Sequence, residues 1–202
     1  MKIKIQFTAN VLSALLLISP AAVFAATQNK QVQAPNVNAP ATREEKTLLN
    51  DFGKSVKQYV ALRESVRKKL PPLSKDSTPE QISAFQKRFV DALRVERSYA
   101  KHGYMFTPTV ADYIRAIIKT EFKGTDRVQL RETILEADTA GVPLKVNYPY
   151  PETKELTQIP PTLLLKLPQL PKEVKYRFVQ RNLLLVDTDN SLIVDYMVNA
   201  LP

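Results

Sequence analysis

The sequence predicts an α+β fold, in which a small N-terminal bundle of about four helices covers a C-terminal three-stranded antiparallel β-meander. Three observations carry that reading. From Thr42 to about residue 140, apolar side chains recur at three- and four-residue spacing behind helix start signals. Between Gly141 and Pro171 there are seven prolines in 31 residues, too many for a long regular element. After Pro171 the runs VKYRFV, NLLLVD and SLIVDYM are rich in β-forming residues and are separated by short polar turns.

The first 25 residues carry Lys2 and Lys4, an apolar run from Val11 to Ile18, Pro20, and the small-residue approach Val23-Phe24-Ala25. That is the three-part pattern of a secretory signal peptide cleaved after Ala25. A membrane anchor fits less well, because the run is shorter than the ~20 residues that span a bilayer. The expectation is a periplasmic or secreted protein with no span left after cleavage, and a bacterial source. Residues 26–42, ATQNKQVQAPNVNAPAT, hold almost no large apolar side chain and read as a flexible linker. Residues 43–202 then form a single domain: helical over 43–140, a Pro-rich crossing over 141–171, and the meander over 172–202.

Thr42 and Glu45 make a capping-box pattern ahead of Leu49, Phe52, Val56, Tyr59, Val66 and Leu70. The helix they start stops at Pro71-Pro72. The second helix opens with Thr78 as cap, Pro79 at the first position and Gln81 at the third, and lines up Ile82, Phe85, Phe89, Ala92 and Leu93. Its pattern extends to about Ala100, with an end near Gly103. A third helix follows Thr107-Pro108, with Val110, Tyr113, Ile114, Ile117 and Ile118 ahead of Gly124. A fourth starts at Thr125 or Asp126 and presents Leu130, Ile134 and Leu135 before Gly141. None is long enough to be stable alone, so their apolar stripes must pack together. A single helical turn is expected at TLLLKL within the crossing. Three strands need a covering layer, and the helices are the candidate.

Composition removes several functions. There is no cysteine, hence no disulfide framework, thiolate nucleophile, Cys-based metal site or acylated lipoprotein anchor. His102 is the single histidine, and the four glycines are too scattered for a phosphate-cradling loop. No metal, cofactor or catalytic residue is assigned. The net charge of +9 is unevenly placed. Residues 43–123 hold 17 basic and 10 acidic side chains, whereas 124–202 hold 9 and 10.

At 100° per residue from Ile82, the apolar positions of the second helix cluster near about 330°. Lys87, Arg94 and Lys101 fall between about 100° and 140°, a cationic stripe on the outer face. Arg63, Arg67, Lys68 and Lys69 add cations at the end of the first helix, where they also complement its dipole. The functional reading is an electrostatic footprint for an anionic envelope component or envelope protein; the plain reading is a solvated helix face. Nucleic acid fits poorly, since no binding motif or stacking run is present. Tyr148 and Tyr150, alternating with Pro149 and Pro151, sit in an extended segment with few burial options and add a second candidate surface.

Catalytic constellations are thin. Asp187, Asp189 and Asp195 are the acids an alternative reading, a periplasmic hydrolase, would use, but no spacing pairs them. Asp187, Asp189 and Asn190 begin like a calcium loop, yet Leu192 stands where glycine is needed and Val198 where a bidentate Glu belongs. A turn accounts for them better. His102 beside Gly103 has no serine motif to activate and reads as a surface residue that complements a helix end.

The strings YVALRESVRKKLPPL, MFTPTVADYIRAIIK and LPQLPKEVKYRFVQRNLLLVDTDNSLIVDYMVNALP resemble a group of uncharacterised exported bacterial proteins over most of the length after the signal. That resemblance implies an envelope or secreted location and no activity. The segment from YRFV to LIVD is also similar to the terminal hairpin of small periplasmic nickel/cobalt-homeostasis proteins, but the scarcity of histidine departs from a metal role. No site residue is carried over from either. The sequence reading is therefore an exported, non-enzymatic binding protein.

Overall fold

The computed structural model describes residues 41–123, 127–139 and 141–202. The signal-peptide assignment and nearly all of the proposed linker lie outside the described residues. Helix α1, Arg43–Lys69, starts on the Thr42 box: the Glu45 N–H donates to Thr42 Oγ1 at 3.2 Å, and the Thr42 N–H donates to the Glu45 carboxylate at 2.7 Å. Helix α2, Pro79–Glu96, repeats the device with Thr78 and Gln81 at 3.3 and 2.9 Å. Helix α3, Pro108–Glu121, is capped by Thr107. Helix α4, Val128–Glu136, has no side-chain cap, and α5, Pro161–Leu164, is the single turn expected inside the crossing.

Strands β1 (Val174–Val179), β2 (Asn182–Asp187) and β3 (Ile193–Met197) pair antiparallel in the order β1-β2-β3. The fold is the α+β arrangement expected: helices in the N-terminal part and a three-stranded sheet at the C-terminus. Helix α2 is shorter than its periodicity suggested. It ends at Glu96, and the next residue, Arg97, leaves helical geometry and turns its guanidinium inward, donating to the Val194 carbonyl of β3 and to Asn147 Oδ1.

The main core packs Phe52, Val56 and Tyr59 of α1 and Ile114, Ile117 and Ile118 of α3 against Phe178, Leu183, Leu185 and Val194 of the sheet. A second cluster, Val66, Phe89, Val90 and Leu93, closes α1 on α2 and takes in Leu192 from the β2–β3 turn. The other face of the sheet is buried as well. There Leu184, Val186 and Ile193 meet Tyr150, with Val142, Leu144 and Leu156 packed around them. The expectation that helices alone cover the sheet is therefore corrected, since the Pro-rich crossing forms a third layer. A strand buried on both faces has no polar side to show, which is why β2 reads as the unbroken run LLLV.

This strap also pairs with both outer strands. Along β3, the Asn147 N–H donates to the Ile193 carbonyl at 2.8 Å, the Ile193 N–H donates to the Tyr148 carbonyl at 2.9 Å, and Pro149 sits opposite Leu192. Along β1, Thr157 and Phe178 exchange both backbone bonds at 3.1 and 2.9 Å. Proline lacks an N–H, so it belongs at such an edge and nowhere deeper in a sheet. The strap bends through Asn147 at φ 66°, a left-handed position that asparagine tolerates better than most residues.

Candidate functional site

Of the cations assigned to an outer face, Arg63 is the clearest departure. Only 4% exposed, it points inward from α1. Its Nε donates to Asp187 Oδ2 at 2.7 Å, and its Nη2 donates to Asp189. Asp187 is fully buried, accepts a second bond from the Tyr59 hydroxyl at 2.6 Å, and takes the Asp189 N–H at 2.9 Å on its other oxygen. Burial opposes the Arg63 charge, but Asp187 and then Asp189 outweigh it and raise its affinity for its proton. Burial first, then the Asp187 charge and hydrogen bond, push the Tyr59 phenol well above its ordinary value. Arg67 reaches the same Asp189 at 3.2 Å from the surface. The helical spacing of Arg63 concealed this, because three- and four-residue periodicity cannot distinguish a cation paired inside from one facing water.

Asp195 is equally committed. Its carboxylate accepts the backbone N–H groups of Gly103, Met105 and Phe106 at 2.9, 2.7 and 2.9 Å, and so holds the α2–α3 loop against β3. The acids of the hydrolase reading thus serve the fold, and Asp187 and Asp195 are both sealed from solvent. His102 lies in that loop, six residues past the end of α2, and stacks on Tyr196 at 4.2 Å. Lys101 lies in the same loop rather than on α2, so it is not part of a helical stripe with Lys87 and Arg94. Lys87 is exposed and pairs with Asp91 one turn on, at 2.8 Å. Tyr150 is buried at 2% exposure under the sheet, with its hydroxyl on the Glu155 carbonyl at 2.9 Å, and this corrects its assignment to a surface segment.

Arg94 and Tyr148 meet. Arg94 Nη2 donates to the Tyr148 hydroxyl at 2.7 Å, and its guanidinium carbon lies 4.0 Å from the ring centroid. Lys145 Nζ lies 4.0 Å from the same centroid. Hydrogen bonding from Lys145, then the nearby charge of Arg94, hold the Tyr148 phenol below its ordinary range. Nearby, Asp91 reaches Arg94 at 3.4 Å while also serving Lys87. These groups line an open cleft of about 670 Å³ between α2 and the strap, with Val95, Ala100 and Val146 as apolar walls. Two cations on one ring, with one shared carboxylate nearby, leave the cleft with a positive excess suited to an anionic group. Lys145 had no signal in the sequence, being an isolated lysine between Leu144 and Val146.

Among the described residues, no group of three or more His, Asp or Glu side chains could hold a metal ion, and no helix is long and apolar enough to cross a membrane. Compared with known protein families, curated proteins and solved structures, the chain matches none. The molecule is an α+β domain in which Asp187 and Asp195 hold the fold together and the Arg94–Lys145–Tyr148 cleft faces solvent.

Proposed function

We propose that this is an exported, non-enzymatic binding protein that takes an anionic envelope component in the cleft between α2 and the strap. One observation carries the reading. The basic helical face and the Pro/Tyr segment, two candidates far apart in sequence, supply Arg94 and Tyr148 to a single cleft. Lys145 adds a second cation over the same ring, and the Tyr148 hydroxyl already accepts from Arg94. The commitment of Asp187 and Asp195 to internal bonds favours binding over hydrolysis. The export part of the proposal rests on the Lys2 to Ala25 pattern.

The test is capture on purified peptidoglycan sacculi and on polygalacturonate, at low and at moderate salt. Arg94→Glu with Lys145→Glu is expected to weaken capture by roughly tenfold or more at low salt, with the difference shrinking as salt screens the cleft. Capture unchanged by the double charge reversal on both polyanions overturns the assignment. N-terminal sequencing of the protein recovered from its native host tests export separately, and a mature chain starting at Ala26 is the expected result.

A further inference from the structure

A second groove, on the opposite outer strand, has a different chemistry. It follows the outer side of β1, has a volume of about 290 Å³, and is walled by Ile159, Leu164, Leu170 and Tyr176. Lys172, Lys175 and Arg177 stand along it. Lys175 and Arg177 are two residues apart on one strand and therefore share a face, opposite Val186 and Leu184 of β2. Both are half-buried, yet among the described residues no carboxylate pairs with either of them or with Lys172. Arg177 spends one Nη1 bond on the Tyr176 carbonyl at 2.8 Å. Of the other cations drawn out of water, Arg63 has two aspartates, Arg94 a phenol and an aspartate, and Arg97 the oxygens of Asn147 and Val194.

The cost of that arrangement shows in the protonated forms themselves. Burial, and then repulsion from Arg177, pull the Lys175 ammonium below its ordinary range against a weaker attraction from Asp187, which is already engaged by Tyr59 and Arg63. Burial alone lowers Arg177. Neighbouring cations held half out of water without a counter-charge are relieved by an anion that enters beside them. Apart from Gln158 and Gln169 the rest of the groove is apolar, and Leu164 on its wall is 48% exposed. A small hydrophilic anion would leave those walls wet, whereas a neutral apolar ligand would leave the cations unpaired.

We infer that the β1 groove binds an anionic amphiphile, a single hydrocarbon chain bearing a carboxylate or phosphate head, with the head between Lys175 and Arg177 and the chain along Ile159, Leu164 and Leu170. This is a different site from the α2–strap cleft and uses none of its residues. Isothermal titration of the full chain with dodecanoate, dodecyl phosphate and dodecanol, all below their aggregation concentrations, tests it. Saturable one-to-one binding of the carboxylate or the phosphate is expected, and the two arms show which head is preferred. Lys175→Gln with Arg177→Gln should weaken that binding at least tenfold, and Leu164→Asp should do the same from the apolar side. Both variants should fold, because the first removes no ion pair and Leu164 is exposed; a thermal melt checks each. The inference is overturned if dodecanol binds as tightly as the anions, if hexaglutamate binds as tightly as dodecanoate, if neither variant changes the affinity, or if no saturable binding occurs.

Discussion

Asp187 shows how one side chain can hold several elements. From the end of β2 it reaches Tyr59 and Arg63 on α1 and fixes the following turn through the Asp189 N–H. Replacing it with Asn would leave a buried guanidinium with only the half-exposed Asp189 as a charged partner. Asp187→Asn is expected to lose about 3 kcal/mol of stability in urea denaturation, near the lower end for a broken buried pair. Arg63→Met combined with Asp187→Leu should recover much of that loss, because removing both charges removes the need to desolvate either. Asn147 is a second such residue: it accepts from Arg97, donates back to the Arg97 carbonyl at 2.8 Å, and sits at a positive φ. Asn147→Ala is expected to cost about 2–4 kcal/mol, combining an orphaned buried donor with left-handed strain, and the same denaturation measurement checks it. None of this was legible in the sequence. In the sequence Arg63 reads as part of a basic outer face and Asp187 as a turn residue, because periodicity and turn chemistry report on neighbours along the chain and these partners are 124 residues apart.

At the scale of elements, local signals served well wherever local physics decides. Both capping boxes, the Pro-started helices and all three strands fall where the residues place them. The extended estimate for α2 and the layer beneath the sheet came out differently, since both depend on where a distant segment lies. Arg97, just past the end of α2, binds β3, and the strap covers a face that no pattern in its own prolines announces. The elements also differ in how firmly they are held. Helix α4 has no side-chain cap and buries only Ile134, whereas β2 buries Leu183, Leu184, Leu185 and Val186 completely. Native-state hydrogen exchange should therefore show α4 amides opening at a lower free energy than β2 amides, with β2 opening only on global unfolding. Equal protection in the two would contradict that ranking. The candidate cleft was half legible: Arg94 and Tyr148 stood out from charge placement and from the Pro/Tyr rhythm, while Lys145 became visible only once the strap folded onto α2.

The whole molecule responds to pH through its buried phenols. Burial raises Tyr176 far above its ordinary value, and burial with Asp187 raises Tyr59, so neither ionises in the folded state near pH 10. In the unfolded chain both lose their protons at about pH 10. Above that point the unfolded state binds fewer protons than the native one, and stability falls as pH rises. Each phenol contributes about 1.4 kcal/mol per pH unit, and the stabilisation they give is fully present below pH ~10. The Tyr148 phenol is held low instead, so its contribution has the opposite sign. Urea midpoints at pH 8 and pH 11 should differ markedly in the wild type, and by less in Tyr176→Phe. At the acid end, burial pushes the Glu121 carboxyl up, but hydrogen bonds from Lys166 and Thr162 and the charges of Lys166 and Arg127 hold it below its ordinary range. Its contribution is present above the usual carboxylate pKa and is lost as pH falls through the lower folded value.

The strap pairs with strands that are made after it. Asn147, Tyr148, Tyr150 and Thr157 find backbone partners on Ile193, Ser191 and Phe178, so during synthesis those bonds wait for strands not yet made. Until β3 exists, the strap can meet β1 through Thr157 and the β2 face through Leu184 and Val186, but it lacks the edge to which Asn147, Tyr148 and Tyr150 bond. Closure of the third layer along that edge is therefore a late event, completed only after β3 is made.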